Sequence, residues 1–224
     1  MFPGRPNGSV SERIADAISS LLLPIVDNIL DLHSFGPKWD CAPSIITHPI
    51  ADVDLMTKTL RISEAFKLPV TLLWEHNDTA GMFDTWVHSL GKIFICTEFG
   101  GGEAHAEALT IYEAGVRNGL IALGLVEGKT EYPMFRQQKS GRTLETNPSD
   151  QLKSPAPGIF EPRCSVMDEV KQGDLIGILH PMDSLSAGSI DIRAPTTSVV
   201  FAIRSAGCVQ GNEEVAMLAR PLAP

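Results

Sequence analysis

Two strand-like segments end in residue types that do acid–base and metal chemistry. In "NILDLHSFG", residues 28–36, an apolar, β-prone run closes on Asp31 and His33. Residues two apart in a strand project to the same face, so this carboxylate and this imidazole emerge together where the chain leaves a sheet. The same pair also suits an ordinary hydrogen-bonded Asp and His at a surface strand end. In "CTEFGGGEAHAE", Glu98 is followed by Gly100, Gly101 and Gly102 and then by a helical pattern. Glycines there let the backbone pass close to a ligand, and a helix N-terminus favours an anion. The plainer reading of Glu98 is a capping or turn-adjacent carboxylate. Glu75, His76, Asp78, His88 and His105 read as solvated positions, and His48, before Pro49, is compatible with either a site or a surface role.

The elements that must position these groups alternate. "SVSERIADAISSLLL" opens with Ser9 three residues before Glu12, a capping-box spacing, and sets Ile14, Ala17, Ile18, Leu21 and Leu22 on one helical face before Pro24. After the strand through His33, the Gly- and Pro-containing stretch 34–54 reads as a long loop with a short strand at 43–48, and long loops in compact domains tend to be functional. A helix over 54–67, the strand "LPVTLLWE", a short helix over 81–90, the strand "KIFICTEF" and a helix over 103–124 follow. This alternation predicts an α/β layer on a largely parallel sheet, with ligands outside the carboxyl ends of its strands. Residues 126–152 are polar and lack apolar periodicity, which predicts a linker or excursion. Residues 153–224 show short β-type runs between Gly, Pro, Asp and Asn turns, a small all-β module with the cadence of lipoyl- and biotinyl-like barrel sandwiches. No Met-Lys-Met occurs there, so a structural or substrate-covering role is expected rather than a carrier role.

The net charge of -9, from 18 Lys+Arg against 27 Asp+Glu, disfavours nucleic-acid and anionic-membrane partners and leaves small molecules. Cys41, Cys96, Cys164 and Cys208 have no C-x-x-C spacing and read as thiols in a reducing, cytoplasmic setting. No apolar run of about 18 residues is present to span a bilayer, and the first residues lack the pattern of a secretory signal.

Taken in order, "FPGRPNGSVSERIA", "DLHSFG", "GMFDTW", "TEFGGG" and the β module resemble the succinylglutamate desuccinylase/aspartoacylase family, most closely its deacylases of small N-acylated amino acids such as N-acetyl-diaminobutyrate. The resemblance covers nearly the whole chain and implies a zinc-carboxypeptidase-like layered α/β domain, the expected 1–125 unit. It implies that His33 is a zinc ligand, that Asp31 supports it from behind, and that Glu98 is the general base and acid. Arg5 is the first arginine after the family's Asn-Arg position and is a candidate for an anionic substrate group. The family's His-x-x-Glu and Asn-Arg, which precede Phe-Pro-Gly, do not occur in this chain. The expectation is therefore an N-terminally truncated reading, or a fragment, of a zinc-dependent amidohydrolase, with an unpaired apolar sheet edge prone to homo-oligomer formation. A non-catalytic binding paralogue and a zinc carboxypeptidase are the alternatives.

Overall fold

Ser9 and Glu12 form the expected reciprocal cap: the Ser9 backbone N–H donates to Glu12 Oε2 at 2.8 Å, and Ser9 Oγ accepts from the Glu12 N–H at 3.4 Å. The helix so started, α1 (Val10–Ala17), runs into one wide π turn at Ile18–Leu22 and a 3-10 turn at Leu23–Ile25. The wider turn rotates the following side chains. Ala15 is buried from α1 and Leu23 from beyond the wide turn, while Ile14 and Leu21 stay 57% and 72% exposed, a correction to the single apolar face read from spacing.

In this computed structural model the described residues are 1–224 except 75–79, 102–105, 133–140, 147, 183–187, 206 and 223–224, with the side chains of 106–108 also left aside. Glu75, His76, Asp78, Gly102 and His105 thus lie outside the described residues. The helices after α1 are α2 (Val53–Ala65), α3 (Phe83–Ser89) and α4 (Ala106–Ala122). The strands of the first half are β1 (Asn28–His33), β2 (Trp39–Cys41), β3 (Ser44–Thr47), β4 (Val70–Trp74) and β5 (Ile93–Glu98). Those of the second half are β6 (Arg142–Thr146), β7 (Gln151–Lys153), β8 (Gly158–Pro162), β9 (Glu169–Val170), β10 (Leu175–Pro181), β11 (Ile190–Arg193), β12 (Ser198–Arg204), β13 (Gly207–Val209) and β14 (Glu214–Pro221).

A large sheet runs β1-β5-β3-β4-β6-β14-β12-β2. The β1–β5, β3–β4 and β4–β6 pairs are parallel, whereas β3 meets β5 antiparallel. β1, which its apolar composition suggested was buried, is an edge strand among the described residues, with Leu32 47% exposed. The 126–152 stretch, expected to be a linker or excursion, supplies β6 to this sheet between β4 and β14. Its backbone pairs on both sides, which compensates for its weak apolar pattern.

The second half forms a four-stranded sheet, β11-β10-β8-β13, whose Phe160, Ile176, Leu179 and Ile192 pack against Val200, Ile203, Val215 and Leu218 of the large sheet. The long loop after β1 reaches across to this half. There β2 pairs with β12, and Lys38 O accepts from Ser205 N at 3.0 Å before the chain returns as β3. The chain leaving His33 is therefore anchored to the β-rich half.

Candidate active site

β1 and β5 lie side by side, parallel and in register, with Asp31 opposite Cys96 and His33 opposite Glu98. The two-residue strand period then puts all four side chains on one face at the carboxyl ends of both strands. Asp31 Oδ2 and His33 Nε2 are 2.9 Å apart, and the other ring nitrogen, Nδ1, faces Glu98 Oε1 at 3.9 Å. An acceptor on one nitrogen of a His fixes the ring and directs the other nitrogen, the usual support of a metal-binding imidazole.

Glu98 is more enclosed than the His33 it faces, its side chain 13% exposed against 49%. Burial pushes its pKa up to about 7; nearby His33 offsets part of this, and Asp31 adds to it. A carboxyl poised there takes and returns protons near neutral pH. Glu98 Oε2 is buried and has no hydrogen-bond partner among the described residues.

Among the described residues, His33, Cys96 and Glu98 form a group whose ligand-type atoms lie within 4.8 Å of one another. The donor chemistry suits a divalent cation. One imidazole nitrogen is fixed by a carboxylate, and an enclosed carboxylate oxygen lacks a partner. Cys96 was read from sequence only as a buried thiol, and its place beside Glu98 follows from the strand period. Burial, then Glu98, Asp31 and Asp84, push this thiol far above its ordinary range, so it stays protonated.

Arg5 has a different partner. Its Nε donates to Glu12 Oε1 at 2.9 Å, which ties the Phe-Pro-Gly segment to α1. That segment also rests on α3: Phe2 N donates to Gly81 O at 3.0 Å, and the Phe2 and Phe83 rings stack at 4.4 Å. His88, expected on a helix surface, is buried at 9% exposure, and His48 is buried at 7%. His48 Nδ1 lies 3.0 Å from Asp84 Oδ2, and His48 Nε2 lies 3.3 Å from His88 Nδ1. Asp84 carried no signal as a single residue; its place inside "GMFDTW" was the available one.

A family model, the succinylglutamate desuccinylase/aspartoacylase catalytic domain, matches residues 1–123. Over 219 residues the chain is 34% identical to the N-alpha-acetyl-L-2,4-diaminobutyric acid deacetylase of Halomonas elongata, covering 97% of this chain and 63% of that protein. An aspartoacylase family protein from Mesorhizobium loti is 75% identical with a TM-score of 0.86, covering 100% of this chain and 66% of that one. The product-bound ectoine utilization protein EutE from Ruegeria pomeroyi is 30% identical with a TM-score of 0.89, covering 98% and 66%. The chain spans just under two thirds of the length of these relatives. The matched region carries the Asp31–His33 and Glu98 strand ends, and the likeness continues through the β-rich half. By that match the chain belongs to the succinylglutamate desuccinylase/aspartoacylase family.

Proposed function

We propose that this chain bears the reacting groups of a zinc-dependent deacylase that hydrolyses the amide of a small N-acylated amino acid. The observation carrying the proposal is the pairing of a carboxylate-oriented imidazole, His33, with an enclosed carboxyl, Glu98, raised to about 7 on the neighbouring strand. The deacetylase name of the Halomonas relative supports the amide substrate.

In this reading His33 would hold the metal with its free ring nitrogen, and the pair between Asp31 and Nε2 keeps the ring from turning away. When bound, zinc polarises the scissile carbonyl and makes water acidic enough to attack at neutral pH. Glu98 takes a proton from the attacking water on one carboxylate oxygen and delivers one to the nitrogen of the leaving amine. The C–N bond breaks as a C–O bond forms, and the products are a carboxylate and a free amino group. Arg5 is proposed as a contact for an anionic substrate group only on release of its pair with Glu12. The four free cysteines accord with a cytoplasmic location, and among the described residues no helix is long and apolar enough to cross a membrane.

The test is turnover by the full-length zinc-loaded protein of N-acetyl-2,4-diaminobutyrate, N-acetylaspartate and N-succinylglutamate, with a dipeptide bearing a free C-terminus alongside. Release of acetate or succinate that stops on chelation is the expected result. Turnover of the dipeptide alone would identify a carboxypeptidase, and metal-independent binding without turnover would identify a non-catalytic binder.

A further inference from the structure

Asp84, His48 and His88 form a second string of titratable side chains. It lies on the sheet face that carries Glu98 but toward the opposite end of β5. β3 pairs with β5 through Ser44 opposite Glu98 and Ile46 opposite Cys96, so His48, two residues beyond Ile46, continues the same face toward Phe94. The His88 ring stands edge-on to the Phe94 ring at 6.3 Å, and Phe83, Trp86 and Val87 of α3 pack with Phe94 and Cys96. The string therefore closes a loop of three elements: α3 lies on β5, His48 extends from the end of β3, and β3 is hydrogen-bonded to β5 beside Glu98.

Its chemistry is directional. Burial alone would raise Asp84, but the bonds from His48 and from the Thr85 N–H outweigh it and hold the carboxyl below its ordinary value. His88 is kept neutral, burial and then His48 pushing it down to about 4. With Asp84 ionised, His48 Nδ1–H donates to it, and a single proton is shared between His48 Nε2 and His88 Nδ1. Both nitrogens of His48 are thus engaged, one by Asp84 and one by His88. Apolar side chains of similar volume would be expected to stabilise such a core at least as well, because buried polar groups contribute fixed geometry more than net stability.

We propose that Asp84, His48 and His88 are positioning residues that hold β3 and α3 against β5 and so fix where the Glu98 carboxyl stands. This rests on the deacylase reading above. A displacement of about 1 Å at a reacting group is enough for a loss on the order of 100-fold.

The experiment compares full-length zinc-loaded native protein with Asp84→Asn, His48→Ala and His48→Asn, the last keeping an N–H near the position of Nδ1. Turnover of N-acetyl-2,4-diaminobutyrate, melting temperature and the imidazole N–H resonances are measured for each. Asp84→Asn and His48→Ala are expected to lower kcat by roughly 10- to 100-fold with KM within about twofold. His48→Asn should recover part of that loss, and the slowly exchanging His48 N–H resonance of the native protein should vanish in Asp84→Asn. Asp84→Asn preserves shape and carries the test if His48→Ala does not fold. Native turnover with unchanged kcat in the variants overturns the positioning role and leaves the deacylase reading standing. A parallel loss of kcat, KM and melting temperature, without recovery in His48→Asn, also overturns it, as ordinary destabilisation. A native protein inactive on every N-acyl amino acid removes the deacylase reading, and the positioning role falls with it.

Discussion

At Glu98 the fold works against ionisation, and this has consequences for stability as well as chemistry. The carboxyl has a folded pKa of about 7 against an ordinary value of 4.5. The folded chain therefore binds the proton more tightly between those values. Stability linked to neutral Glu98 is fully present below pH 4.5 and is lost as pH rises through about 7, by at most about 3 kcal/mol. Glu98→Gln imitates the neutral form, so metal-free Glu98→Gln should exceed the native protein in denaturant midpoint at pH 8 and match it near pH 4. In the loaded protein the same variant should keep its metal and lose turnover by about 100- to 10,000-fold, read from steady-state rates and metal analysis. His33→Ala should instead lower metal content, measured by the same analysis. Full occupancy in that variant would remove His33 from the ligand set.

Among the elements, the glycine run after β5 is constrained by its neighbour rather than by its own flexibility. A Cβ on Gly101 would stand 1.5 Å from the Trp39 carbonyl oxygen, a backbone atom at the start of β2 where the segment leaving His33 ends. Gly101→Ala must displace the segment after Glu98 or the segment after His33. A destabilisation of about 1 to 3 kcal/mol is expected, together with a fall in kcat, checked by thermal melting and rate measurement. Ser9→Ala in the α1 cap provides a contrast. Loss of this side-chain acceptor is expected to cost about 1 kcal/mol while metal binding is retained.

For the molecule as a whole, acid should be more damaging than base to the packing of α3 on the sheet. His88 has a folded pKa of about 4 against 6.5, so the unfolded chain takes up the proton first. The stability tied to neutral His88 is complete above pH 6.5 and is lost as pH falls toward 4, by up to about 3 kcal/mol. Asp84, also lowered, adds to the loss in the same direction. Trp86 on α3 packs in that cluster and reports the change by fluorescence. His88→Asn should flatten the dependence of stability on pH between about 6.5 and 4. At the sheet's end, β1 presents an edge among the described residues, with Leu32 exposed. Concentration-dependent association that Leu32→Lys weakens is the expected result by light scattering.

The sequence by itself determined the features that depend on short separations along the chain. Asp31 and His33 share a face because strand side chains alternate, and Ser9 meets Glu12 because a helix turn spans that distance. Glu98 before its glycines at a strand end was legible for the same reason. Only the tertiary structure decided which strand lies beside which, and hence that His33 stands opposite Glu98, 65 residues along the chain, with Cys96 beside them. It also decided that Asp84, His48 and His88 meet in the core, that β6 enters the large sheet, and that Ile14 and Leu21 face outward. The physical reason is that hydrogen-bonding partners and burial depend on surfaces brought together from distant segments, and a local pattern specifies a face without specifying what covers it.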